Sequence, residues 1–197
     1  IGTSSPEVHL TIGNGGGILA VGTYGAGEPL TTIGAGTRMI WYPRAGAFRA
    51  GGVTNTAWDA ANIGAYSFAG GYGSLVSGGY SAAFGTANQV TNTSAFAAGD
   101  SNNVGGVGSA ALGVTNRSQG DYTLTSGYNN LANMTGAVAL GYNNQATNSY
   151  AFAAGLANQA GGYGSAALGV ISKSWGDYSF AAGYNNLSSA IYSSSLG

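Results

Sequence analysis

The sequence predicts an all-β protein whose greater part is a parallel β-solenoid built from coils of 14 residues. Three observations predict it. A glycine recurs at Gly71, Gly85, Gly99, Gly113, Gly127, Gly141, Gly155, Gly169, Gly183 and Gly197, every 14 residues without a slip. The residues two and four before each of these glycines are small, so small side chains alternate along every stretch, as on one face of a strand. Charged residues make up 6% of the chain while glycine occurs 37 times, which suits closely stacked backbone better than an ordinary globular core.

Taken in chain order, residues 1–62 differ from the rest. EVHLTIG, GGILAVGTY, TRMIWYP and AFRAGG read as short strands bounded by Gly and Pro. This part is expected to be a β-rich linker and capping region ahead of ten coils over residues 63–197. The opening IGTSSPEVHL carries no signal peptide and reads as the middle of a longer chain. His9 alternates with Val8 and Leu10 and is taken as structural. Arg38, Arg44 and Arg49 fall among Trp41, Tyr42 and Trp58. One reading is a glycan or anion site, because guanidinium groups and aromatic rings suit sugars and carboxylates. The preferred reading is a cap over the open end of the first coil, with arginine paired to Glu28 or Asp59.

Within a coil, asparagine stands three residues after the glycine at Asn88, Asn102, Asn116, Asn130, Asn144, Asn158 and Asn186, with Ser74 and Ser172 as exceptions. These Gly and Asn stretches are read as turns between two short strands. Opposed sheets pack about 10 Å apart, so a coil this short admits only small residues inside and the bulky ones must point out. The outward positions lie three and one before each glycine, where large and small residues trade places from coil to coil. They supply an apolar stripe of Phe68, Phe84, Phe96, Leu112, Leu124, Leu140, Phe152, Leu168, Phe180 and Leu196. Burying one such side chain is worth roughly 1.5–3 kcal/mol, and soluble monomers avoid exposing ribbons of this kind. The stripe is therefore expected to be an oligomer interface.

Other function classes are weakened by what the sequence lacks. A net charge of -1 offers nothing to a polyanion, and no run approaches the ~20 apolar residues of a membrane helix. With no cysteine and one histidine, neither a catalytic triad nor a histidine-rich metal site is available. Asp121 and Asp177 lie four coils apart, about 19 Å at strand spacing, whereas glycosidase carboxylates need roughly 5–9.5 Å. No enzymatic activity, metal or cofactor is expected. Arg117 with Asp121 and Lys173 with Asp177 recur 56 residues apart and read as exposed ion pairs, or beside Trp175 as a ligand contact. Residues 94–141 match 150–197 in the same way, a duplicated block of four coils. Tyr72, Tyr128, Tyr142 and Tyr184, each directly after its glycine, form a candidate contact ladder.

The motifs SFAAG, SAALG, AVALG and SAAFG, joined by YNN or ANQ at the 14-residue period, resemble the head repeats of trimeric autotransporter adhesins, the YadA-like head. Such repeats also occur in bacteriophage tail fibres, and GTRMIWYPRAGAFRAG with WDAANIGAYSFAGG looks like the entry block of tail-fibre-like proteins. The resemblance covers residues 63–197, although the usual Val and Ile of the motif are often Phe, Ala or Leu here. It implies a left-handed parallel β-roll, three chains around one axis, and display outside the cell or on a virion. The function implied is a non-enzymatic structural fibre or adhesin segment, whose partner is itself in a homotrimer, with end-to-end stacking of trimers left open. The alternative is a tail-fibre segment that recognises a host-surface glycan or protein.

Overall fold

A computed structural model describes residues 16–31 and 34–197. His9 and the EVHLTIG stretch lie outside the described residues. The first elements are strands β1 (Gly36–Tyr42) and β2 (Ala47–Val53), joined by a 3-10 turn over Pro43–Ala45. Proline opens that turn, and Gly46 closes it in the left-handed region at φ 61°. The two strands pair antiparallel, with Trp41 opposite Phe48.

From here the 14-residue period governs everything. Each coil contributes a five-residue strand ending just past its glycine, such as β3 (Phe68–Tyr72), and a two-residue strand, such as β4 (Leu75–Val76). The long strands form one parallel sheet and the short strands a second. Register follows the repeat: Gly71 lies beside Gly85, and Gly127 beside Gly141. The chain thus completes nine two-strand coils and adds the final strand Ser194–Leu196 to the long sheet. At the other end β2 pairs parallel with β3, so the hairpin continues the long sheet.

The interior is as narrow as the sequence demands. Ala69, Ala83, Ala97 and Ala111 from the long sheet meet Val76, Val90 and Val104 from the short one, all fully buried. A hydroxyl pair, Ser118 with Thr125 at 2.8 Å, sits between this apolar stack and the alanine-rich one that begins at Ala132.

The asparagines expected at the turns do not make them. Asn88, Asn102, Asn116, Asn130, Asn144 and Asn158 point inward and are buried as a ladder. In each rung Oδ1 accepts the backbone N–H of the residue 14 positions on, at 3.0 Å for Asn88 and Asn102, the last donor being Ser172 on Asn158. Nδ2 donates to the carbonyl of the residue four before it and to that of the next coil's glycine, at 3.1 and 2.8 Å for Asn102. The left-handed turn residues are their predecessors, among them Ala87, Ser101, Thr115, Asn129 and Ile171, and a second corner five residues before each glycine. A 14-residue coil leaves backbone carbonyls facing inward at its corners, and the inward amide satisfies them.

Candidate functional site

The outer face of the long sheet is the most unusual surface of the molecule. The chain has six phenylalanines, and all of them, Phe48, Phe68, Phe84, Phe96, Phe152 and Phe180, stand on it. Leu112, Leu124, Leu140, Leu168 and Leu196 complete the stripe, half-buried by neighbouring coils except Leu196, which is 71% exposed. Rings run along the axis, with centroids 5.3 Å apart for Phe48 and Phe68, 4.9 Å for Phe68 and Phe84, and 6.1 Å for Phe84 and Phe96. The exchange of large and small residues has a cause within one chain: a Cβ on Gly70 would meet Phe68 at 3.1 Å and Phe84 at 3.5 Å. The hairpin extends the face with Met39 and Trp41, which line an apolar cavity of about 440 Å³ together with Ile18, Ala20 and Phe48. The outer face of the short sheet is different, carrying Gln89, Asn103, Arg117, Gln145, Gln159 and Lys173 with only three leucines among them.

Strand alternation disperses the arginine and aromatic cluster. Trp41 faces outward on the apolar face, whereas Tyr42 is buried on the opposite side of β1. Arg44 lies exposed in the turn and donates to the carbonyl of Gly27 at 2.9 Å. Arg38 donates to the carbonyl of Gly34. Arg49 is fully buried inside the first coil, where its guanidinium donates to the carbonyls of Phe48, Ser67 and Val76 and to Ser67 Oγ. Burial without a carboxylate lowers its pKa to about 10. None of the three arginines pairs with Glu28 or Asp59; Asp59 instead accepts the Gly34 N–H at 2.8 Å. Trp175 is far from all of these, half-exposed and lying over Gly161. Arg38 and Trp41 line one cavity of about 540 Å³ with Leu30, Met39 and Ile40, while Tyr42, Arg44, Arg49 and Trp175 lie outside it.

Trp58 is also fully buried beneath the first coil, its Nε1 donating to the Ser74 carbonyl at 3.0 Å. Trp58→Ala is expected to lower stability by about 3–5 kcal/mol. Urea unfolding measures this, and a loss under about 1 kcal/mol would show that the indole fills no essential space.

The carboxylates bond along the axis rather than to nearby cations. Asp121 accepts the Val107 N–H and Asp177 the Tyr163 N–H, each at 2.8 Å and each one coil back. The two contacts are equivalent across the 56-residue duplication. They replace the ion pairs expected with Arg117 and Lys173, which stand on the short sheet.

Tyrosines mark the edges of the apolar face. Of 13 tyrosines, all but Tyr42 are exposed. In the ladder after the glycines, Tyr128 and Tyr142 stack at 5.1 Å, while Tyr72 and Tyr184 stand apart from them. A larger set occupies the corner five residues before the glycine: Tyr66, Tyr80, Tyr122, Tyr150, Tyr178 and Tyr192. Tyr66 stacks between Tyr24 and Tyr80, and Tyr163 bridges Tyr150 and Tyr178 edge-on. Loss of solvation, then neighbouring tyrosines, push the Tyr66 and Tyr178 hydroxyls above the ordinary range, Asp177 adding to the effect at Tyr178. The signal for this set was in the sequence as the recurrent tyrosine opening YSFAG, YTLTS and YAFAA.

No protein-family model matches the chain, and no curated protein sequence matches it. What the structure establishes is the β-solenoid itself. Among the described residues no group of three or more His, Cys, Asp or Glu is placed to hold a metal ion, and no helix is long and apolar enough to cross a membrane.

Proposed function

We propose that this chain is a non-enzymatic, extracellular fibre or adhesin segment in which three copies pack their long sheets around a common axis. The observation that carries the reading is the sorting of side chains between the two outer faces: phenylalanine and leucine on one, glutamine, asparagine and the cations on the other. Covering some ten partly exposed large side chains is worth on the order of 10 kcal/mol per chain, enough to exceed the several kcal/mol lost on association. In this reading the hairpin β1–β2, with Arg49 and Trp58 beneath it, covers the end of a left-handed roll, and the coils serve as a stiff spacer for surface attachment.

Sedimentation equilibrium tests the assembly. The chain is expected to sediment as a trimer, and the double variant Leu140→Asp/Leu168→Asp as a monomer that keeps its β circular dichroism. A stable wild-type monomer would remove the reading.

A further inference from the structure

We propose that the tyrosine corner five residues before each periodic glycine is a binding surface for a neutral glycan laid along the solenoid axis. The proposal rests on the attachment part of the reading above and not on trimer assembly.

Backbone conformation is the first argument. Tyr66, Tyr80, Tyr122, Tyr150, Tyr178 and Tyr192 hold φ between 53° and 59°, in the left-handed region. Bulky L-residues pay roughly 1–2 kcal/mol to sit there. The chain itself places glycine at the same corner in Gly108, Gly136 and Gly164, so the coil does not require a side chain at this point. Burial does not offset the strain, because these tyrosines are 46–75% exposed. Ring stacking offsets part of it for Tyr66 with Tyr80 and for Tyr178 with Tyr192. Tyr122, between coils that carry Gly108 and Gly136, has no aromatic partner among the described residues. Tyr122, Tyr150 and Tyr178 rest against the corner glycine of the coil before, Gly108, Gly136 and Gly164, so each ring is braced by the coil while about half or more of it stays open to solvent and to a ligand.

The chemistry of the corner selects the ligand. Phenylalanine is confined to the sheet face, so the corner carries only rings whose hydroxyls reach water. The residues directly before these corners include Asp121, Ser149 and Asp177, which add hydrogen-bonding groups in the same column. No lysine or arginine stands in either column, so an acidic ligand would find no counter-charge and two carboxylates. Sugars present C–H faces to aromatic rings and hydroxyls to such acceptors. The coil rise of about 4.8 Å is close to the length of one pyranose unit, so a linear chain along the axis meets a tyrosine at every second coil from Tyr122 to Tyr178.

The test replaces strain with what the chain already tolerates. Tyr122→Gly/Tyr150→Gly/Tyr178→Gly is expected to sediment as the wild type does and to melt at the same or a higher temperature. Its affinity for neutral hexasaccharides of glucose, mannose or galactose, measured by calorimetry on the full chain, is expected to fall at least tenfold. Three results would each overturn the proposal: no binding of that panel by the wild type, unchanged binding by the triple variant, or stronger binding of sulfated hexasaccharides. A clear drop in the variant's melting temperature would likewise overturn it, by showing that the rings support the coil. Glycan binding by a wild-type monomer would leave this surface standing while removing the assembly reading.

Discussion

Gly127→Ala is expected to lower the melting midpoint by about 10 °C or more, corresponding to at least ~4 kcal/mol for a chain of this size. Two independent effects act at this residue. Its φ of 111° lies where L-residues are strained. A Cβ built there would also fall on the carbonyl oxygen of Gly141 in the neighbouring strand, with the Gly141 Cα at 3.1 Å. The obstacle is backbone and no rotamer relieves it, so the two strands must separate and give up their shared hydrogen bonds. Coils contact only their neighbours, so the damage divides the solenoid into two shorter stacks. Hydrogen exchange should show lost protection centred on residues 124–142, with the first coils still protected. A shift under about 2 °C would mean that the close glycine approach is not what holds the register.

The same residue shows why the fold was legible. A glycine needed for both its φ and its closeness to the next coil cannot vary, so the period is printed in the sequence. The inward alanines, which have no room to grow, were legible for the same reason, and the outward Phe and Leu followed by alternation. The turns were legible only in part: Gly73, Asn129, Asn143 and Asn185 are left-handed corners within the Gly and Asn stretches, but the others were not. Left-handed residues include Ala87, Thr115, Ile171 and six tyrosines, types that carry no turn signal, because stacking on neighbouring coils overrides local preference. The inward asparagine was mistaken for a turn residue because asparagine tolerates both roles. The arginine cluster was misleading because nearness in sequence does not survive alternation: Arg49 points into the coil and Trp41 away from it. Nor did composition show that Arg49 would be solvated by carbonyls instead of a carboxylate.

Asn130→Ala is expected to destabilise the chain by about 3–5 kcal/mol, the summed effect of leaving several buried groups unpartnered at roughly 1–3 kcal/mol each. Asn130 Oδ1 accepts the Asn144 N–H at 2.9 Å, and its Nδ2 donates to Ser126 O at 2.9 Å and Gly141 O at 2.7 Å. Alanine removes all three where water has no access. Asn130→Ser is expected to lose about half as much, because the chain already carries serine in this column: Ser172 Oγ donates to the Gly183 carbonyl at 3.2 Å. Asn130→Asp separates acceptor from donor. Its carboxylate still accepts the Asn144 N–H but presents a buried negative charge to the Ser126 and Gly141 carbonyls, which raises its folded pKa above the ordinary ~3.9. Between those two values the folded state binds more protons than the unfolded state, so the variant's stability falls as pH rises and recovers on acidification. At pH 4 the protonated acid can donate to one carbonyl, and denaturant midpoints should place Asp near Ser; at pH 7 they should place it below Ala. If Asp matched Asn at pH 7, the ladder would be open to solvent and its amides dispensable.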